Sequence, residues 1–112
     1  MSRFRALPYA KALIEVVRDQ CPERREEVTE ELEAVASALE AVPDFERVLV
    51  TPTVDTETKT VILDQVLDNL GITQPVRRFI HVVQRHYRMQ HMRDIANAFR
   101  AQVDRELGRT RA

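Results

Sequence analysis

The sequence has little of several features on which many small folds depend. It contains one cysteine, Cys21, which excludes an internal disulfide framework. Tryptophan is absent and aromatic residues make up 5% of the chain, so the core must be built mainly from aliphatic side chains. Two glycines and five prolines are few for a loop-rich domain or a β-sandwich. These absences favour helices packed on helices.

Long hydrophobic runs are also missing. No apolar stretch approaches the roughly 20 residues that a membrane-spanning helix needs. Arg3 and Arg5 give the N-terminus a little basic charge, but no long apolar segment follows them, so we expect no signal peptide. A lone cysteine is compatible with a reducing compartment. We therefore predict a soluble, cytosolic chain.

What is present fits one compact domain of 112 residues, with 44% hydrophobic and 31% charged residues. Apolar residues recur at helical spacing between a small set of helix-breaking residues. These breakers are Pro8, Pro22, Pro43, Pro52, Gly71, Pro75 and Gly108. The pattern predicts an all-α fold, a compact bundle of six helices of which one is short.

The predicted helices cover residues 7–20, 23–41, a short stretch after Pro43, 56–70, 73–86 and 89–107. Asp55 is the expected N-cap of the fourth helix, because its carboxylate can accept the free N–H groups of the first turn. Asp44 is a cap candidate for the third. Gly71 and Gly108 stand where helices end. In the fourth helix we expect Ile62, Val66 and Leu70 to form the main inward face.

The first and fifth helices each carry two apolar stripes on adjacent sides. Those of the first helix are Leu7, Ala10, Ile14, Val17 and Cys21, and then Tyr9, Leu13 and Val16. Those of the fifth are Val76, Ile80, Val83 and Tyr87, and then Phe79 and Val82. One stripe serves the core. The second is either covered by another helix of the bundle or left partly exposed as a groove for a partner's amphipathic helix.

Signals for catalysis are poor. His81, His86 and His91 are five residues apart and lack the spacing of a helical zinc pair. The carboxylates crowded on the second helix are interleaved with Arg24 and Arg25, which is typical of a solvated face. Both glycines are isolated, so no phosphate loop is present. We predict no catalytic residue, no metal site and no cofactor.

Charge is divided unevenly along the chain. Residues 1–70 carry 8 basic and 15 acidic residues, and residues 71–112 carry 9 arginines and 3 acidic residues. The two halves either neutralise each other within one fold or steer a partner. The alternative function is nucleic-acid binding through the arginines at positions 77, 78, 85, 88 and 93. The interleaved exposed aromatics used for single strands are missing.

The segment Leu7-Pro8-Tyr9-Ala10-Lys11-Ala12-Leu13 resembles the opening motif of the delta subunit of F-type ATP synthase, the oligomycin-sensitivity-conferring protein of mitochondria. Further similar segments follow in the family's order: Thr51-Pro52-Thr53-Val54, the helix start from Asp55 to Lys59, residues 76–83 and residues 95–99. One departure is His86-Tyr87-Arg88, where the family usually has an Asn-Gly-Arg-like turn. The family's C-terminal domain is not found in this sequence.

The resemblance implies a non-catalytic stator subunit in proton-driven ATP synthesis. Residues 1–108 would be the six-helix N-terminal domain, and residues 109–112 the truncated start of the missing C-terminal domain. The N-terminal domain would bind the N-terminal helix of an alpha subunit, and the missing domain the b subunit of the peripheral stalk. The chain would then lie on the cytoplasmic face of a bacterial plasma membrane without inserting into it, and the isolated domain would be soluble.

In that family the alpha-subunit helix lies in a groove between the first and fifth helices, the two that carry surplus stripes here. The positions carried over by the resemblance are, on one wall, Tyr9, Ala12, Leu13 and Val16, and on the other, Phe79, Val82 and His86, with Val83 at the floor.

Overall fold

The computed structural model describes residues 4–108, and its helices agree with the predicted number and order. They are α1 (Ala6–Gln20), α2 (Arg25–Ala41), α3 (Pro43–Val50), α4 (Thr56–Leu70), α5 (Val76–Arg85) and α6 (Met92–Glu106). Single 3-10 turns, Pro22–Arg24 and Met89–His91, precede α2 and α6. No strand occurs in this part of the chain, so the prediction of an all-α, six-helix bundle is confirmed. Residues 109–112 lie outside the described residues.

Helix α6 forms the centre of the bundle, with α1 on one side and α2 on the other. Its inward residues, including Ile95, Phe99 and Val103, have no exposed surface, and α2 presents Leu32 and Leu39 to the same core. Burying a large apolar side chain contributes about 1.5–3 kcal/mol before the loss of conformational freedom. The core is mainly aliphatic, as expected from the composition, and none of the helices in residues 4–108 is long and apolar enough to cross a bilayer.

The ends of α4 follow the local sequence. Asp55 is its N-cap: one carboxylate oxygen accepts the backbone N–H of Thr58 at 3.0 Å, and the other accepts the Thr58 hydroxyl at 2.8 Å. Gly71 ends the helix with φ of 69°, the left-handed conformation that glycine adopts without a steric cost. Asp44 is not a cap, because α3 begins at Pro43 and Asp44 lies within its first turn.

The inward face of α4 differs from the prediction. Leu63 and Leu67 have no exposed surface, whereas Ile62 and Val66 are half-buried and Leu70 is 37% exposed. Lys59 precedes the buried pair on the same face and is itself buried. The two apolar rows are adjacent, so periodicity could not choose between them. A lysine at the head of the true inward row made that row look shorter than its neighbour.

Ion pairs join the acidic and basic halves of the chain. Arg93 contacts Glu40 at 2.8 Å, and Arg100 makes a two-pronged contact with Glu33, with distances of 2.6 and 2.7 Å. Arg77 lies between Asp64 and Asp68 on α4. These pairs confirm that the two halves neutralise each other within one fold.

Leu63→Ala should lower the free energy of unfolding by about 2–5 kcal/mol, because it leaves a cavity in the core. Ile62→Ala on the neighbouring side of α4 should cost clearly less, since that side chain already touches water. Urea denaturation of both variants measures the difference. Equal losses, or a larger loss at Ile62, would mean that α4 is rotated differently.

The cap at Asp55 should make the stability of α4 depend on pH. The backbone N–H of Thr58, and then its hydroxyl, hold the pKa of the Asp55 carboxyl below its ordinary value. A pKa lowered by folding gives stability that is complete above the unfolded-state pKa, about 3.9, and is lost as pH falls through the folded-state pKa.

We therefore expect the stability difference between the natural chain and Asp55→Ala to be constant near neutral pH and to shrink below about pH 4. Asp55→Asn is the matched control, because its amide oxygen can accept from Thr58 but does not titrate. Its advantage over Asp55→Ala should not change over the same range. Urea denaturation at a series of pH values tests both statements.

Candidate helix-binding groove

An open groove of about 510 Å³ runs between α1 and α5. From α1 and its first turn it is lined by Pro8, Tyr9, Ala12, Leu13, Val16 and Gln20. From α5 and the loop before it, the lining residues are Gln74, Pro75, Arg78, Phe79, Val82 and His86. We call this surface the α1–α5 groove.

Helical spacing explains why these residues share one surface. On α1 the lining residues recur every three or four positions from Tyr9 to Gln20, and on α5 they do so from Pro75 to His86. The first stripe of α1 is used elsewhere, since Ala10, Ile14 and Val17 are buried against the rest of the bundle. The second stripe is left for the groove.

Burial differs along the lining. Leu13 and Phe79 are 2% and 9% exposed, so they belong to the core and also form the bottom of the groove. Val16 and Val82 are half-buried on the two walls, and Ala12 is exposed. Val83, predicted at the floor, has no exposed surface and is not among the lining residues, because it packs one layer deeper. The other seven predicted positions all line the groove, and their contact with a partner stays a prediction.

A hydrogen bond links the two walls where α1 begins and α5 ends. The Tyr9 hydroxyl and His86 Nδ1 are 3.0 Å apart, and their rings meet edge-on. Phe4 stacks on the Tyr9 ring. It also lies nearly parallel to the His91 ring, and the Phe4 and His91 ring centroids are 3.9 Å apart. This aromatic group ties the N-terminal segment to the far end of α5.

The other end of the groove is held by Arg24, in the 3-10 turn before α2, and by Glu31 on α2. The Arg24 guanidinium donates to the Gln74 carbonyl at 2.8 Å and to the Thr73 hydroxyl at 2.7 Å. Glu31 accepts from Arg24 and from both the backbone N–H and the hydroxyl of Thr73. Arg24 also pairs with Glu27, which is the largest cause of a raised Arg24 pKa. The planar Arg24 guanidinium thus fixes the loop before α5 through several hydrogen bonds at once, which a lysine ammonium cannot reproduce.

The side chains that line the groove carry little charge. Among the described residues that line it, Arg78 alone has a permanent charge, and most of the others are apolar. Within the described residues, no group of three or more metal-binding side chains is placed to hold an ion. The three histidines are engaged separately, His81 with Asp64, His86 with Tyr9 and His91 with Phe4. Such an apolar surface can bind the apolar face of a helix.

Five lining residues were missed in the sequence: Pro8, Gln20, Gln74, Pro75 and Arg78. The spacing of the second stripes extends to Gln20 on α1 and to Arg78 on α5, so periodicity alone could have found these two. They were passed over because polar residues on a helix are usually solvated. No local signal shows that the Gln74–Pro75 loop approaches α1, since that depends on the contacts made by Arg24.

Known proteins with similar sequences agree on one family. Residues 6–112 match the family model described as the ATP synthase delta (OSCP) subunit. The chain belongs to this family. No solved structure matches it significantly.

Similar curated proteins are all delta subunits. The ATP synthase subunit delta of Acidobacterium capsulatum is 34% identical over 106 residues, which cover 94% of this chain and 58% of that protein. That of Desulfosudis oleivorans is 31% identical over 104 residues, covering 93% and 56%. The subunit of Rhodopseudomonas palustris strain TIE-1 is 32% identical over 104 residues, covering 93% and 55%. The delta-family chain thus spans a little over half the length of these relatives.

The turn after α5 has an unusual backbone conformation at Tyr87. Where delta subunits usually have an Asn-Gly-Arg-like turn, this chain has Tyr87 in the left-handed conformation, with φ of 58°. Glycine and asparagine adopt that conformation readily, whereas tyrosine does so at a steric cost. The turn after α5 thus holds a tyrosine in a conformation that glycine or asparagine adopts more readily.

Arg24→Lys should loosen the loop that forms one end of the groove. We expect the free energy of unfolding to fall by about 1–2 kcal/mol, because bonds from the guanidinium to Glu31, Thr73 and Gln74 are lost. Amide hydrogen exchange at Thr73, whose N–H is held by Glu31, should accelerate. Arg47→Lys, at an exposed pair on α3, is the control and should change neither quantity. An unchanged rate of amide hydrogen exchange at Thr73 in Arg24→Lys would show that the Arg24 guanidinium does not hold the loop before α5.

Proposed function

We propose that this chain is the head-binding domain of a delta subunit in the stator of an F-type ATP synthase. It would hold the catalytic head to the peripheral stalk during proton-driven ATP synthesis and would perform no catalytic step itself. Membership of the delta family supports the assignment to this complex. The observation that carries the role in binding is the open apolar groove between α1 and α5.

The proposed occupant of the α1–α5 groove is the N-terminal amphipathic helix of an alpha subunit. A helix with its side chains is about 10–12 Å across and is recognised through apolar anchors on one face. Leu13 and Phe79 offer such anchors a hydrophobic floor, and Val16 and Val82 offer them half-buried walls. Each large anchor contributes about 1.5–3 kcal/mol when fully buried, before the cost of ordering the helix.

The charge of Arg78 would favour one orientation of the bound helix in the groove. Arg78 stands at the rim near the Gln74–Pro75 end, and within residues 4–108 no carboxylate lines the groove. A partner helix with an acidic side chain near that end would therefore be favoured over one with a basic side chain. Affinity comes from the apolar floor, and the rim arginine acts mainly on the orientation.

The link to the peripheral stalk would involve a further part of a delta subunit. The relatives are nearly twice as long as the matched segment, and the b subunit of the stalk would bind the C-terminal part that is absent from this sequence. The assembled complex would hold the chain peripherally at the cytoplasmic face of a bacterial plasma membrane. Nucleic-acid binding is not supported, because Arg77 and Arg93 are engaged in ion pairs and the similar proteins are delta subunits.

The test is calorimetric titration of a synthetic alpha-subunit N-terminal peptide into the chain. Val16→Glu and Val82→Glu place a charge on the two half-buried walls, and each should weaken binding by about tenfold or more. These positions are better probes than Leu13 and Phe79, whose burial means that a glutamate would also disrupt the core.

The matched control is Val61→Glu, which makes the same substitution at a 56% exposed position on α4. It should bind the peptide as the natural chain does, and far-ultraviolet circular dichroism should show that all three variants are folded. No binding by the natural chain would sink the docking proposal. Equal affinity in the folded Val16, Val82 and Val61 variants would place the peptide outside the groove.

A further inference from the structure

One histidine belongs to the apolar surface of the α1–α5 groove. The lining residues include His86 but neither His81 nor His91. Histidine is the side chain whose charge ordinarily changes between about pH 5 and pH 8. The His86 side chain is exposed at the end of α5, so water reaches it in the free chain. A change of pH in this range can therefore place a positive charge on a surface that is otherwise suited to an apolar helix face.

Two interactions of His86 are available to both of its charge states. Its Nδ1 lies 3.0 Å from the Tyr9 hydroxyl. A neutral ring can accept this hydrogen bond and a protonated ring can donate it, because a hydroxyl is both donor and acceptor. The C-terminal end of α5, which His86 follows, favours a cation whether or not the groove is occupied. Neither interaction distinguishes the free chain from a complex.

The surroundings of His86 offer a protonated ring little negative charge. Within residues 4–108 no carboxylate lines the groove, and Arg88 lies over the Phe4 ring at the same end, 6.0 Å from its centroid. Glu15 is on α1, but about 9 Å further along the helix axis than Tyr9. Water is therefore the main solvation of a charged His86. The titratable and charged groups on the elements around it are Arg5 before α1, Tyr9, Lys11 and Glu15 on residues 6–15, Lys59 on α4, Arg78 and Arg85 on α5, Tyr87 and Arg88 in the turn, and His91 in the next 3-10 turn.

A helix that covers the groove would remove this water. Burial against apolar atoms disfavours the charged form of a histidine. We infer that the α1–α5 groove binds its partner helix preferentially when His86 is neutral, so that docking weakens as the solution becomes acidic. The inference rests on the proposed function, since it requires the alpha-subunit helix to lie in the groove.

The direction of the effect follows from linkage. The complex disfavours the proton on His86, so affinity is complete above the range in which histidine titrates and is lost as the pH falls through that range. Where part of the free chain is protonated, binding releases a proton. The hold of this chain on the catalytic head would therefore loosen when the surrounding solution acidifies.

The test is calorimetric titration of a histidine-free synthetic alpha-subunit N-terminal peptide into the 112-residue chain, at constant ionic strength. We expect the Kd to rise by about threefold to tenfold between pH about 7.5 and pH about 5.5, a range in which the carboxylates of the peptide stay charged. Titrations near pH 6.5 in two buffers of different ionisation enthalpy should also show release of a fraction of a proton on binding.

Two variants assign the effect to one ring. In His86→Asn the amide oxygen can still accept from Tyr9 but does not titrate, so the Kd should stay constant over the same pH range and proton release should vanish. The matched control is His81→Asn, which removes a histidine that pairs with Asp64 outside the groove. It should keep the pH dependence of the natural chain. Circular dichroism at each pH checks that all three chains are folded.

Several results would overturn the inference. If the natural chain binds with the same Kd at every pH, the docking function stands but His86 does not regulate it. Tighter binding at low pH, with proton uptake, would mean that a carboxylate of the partner pairs with His86. A pH dependence that persists in folded His86→Asn would place the titrating group elsewhere. Absence of binding at every pH would overturn the docking function and this inference together.

Discussion

Helix α6 packs against both α1 and α2, and this packing sets which faces of those helices turn inward. It buries one apolar stripe of α1, through Ala10, Ile14 and Val17, in the core around Phe99. A helix has one direction in which it can face the centre of a bundle, so the stripe of Tyr9, Leu13 and Val16 must turn toward α5. The groove is formed by the α1 stripe that this packing leaves outside the centre of the bundle.

The α1–α5 groove is shaped at both ends by polar contacts between residues distant in the sequence. Tyr9 meets His86 at one end, and Arg24 holds the Gln74 carbonyl at the other. Apolar packing sets how deep the groove is, whereas these directional bonds set where its walls lie. A binding surface built in this way is organised before a partner arrives, which reduces the ordering cost of association.

Helix α5 has only ten residues but separates two surfaces of different chemistry. Phe79 and Val82 line the apolar groove. Gln84 and Arg85 line a second cavity, which lies between α4 and α5 and carries basic side chains. Both surfaces end at the turn after α5, where His86 lines the groove and Tyr87 lines the cavity. Tyr87 has the left-handed backbone conformation at this turn.

Spacing along the chain and local hydrogen bonding were enough to predict the helices, the cap at Asp55, the end at Gly71 and the surplus stripes of α1 and α5. Packing between helices was needed to show that Leu63 and not Ile62 faces inward, that Val83 is fully buried, and that Arg24 reaches the loop before α5. It also buried Lys59 at the head of the inward row of α4. Each of these depends on which neighbour a helix face meets, and periodicity along one chain segment carries no information about the neighbour.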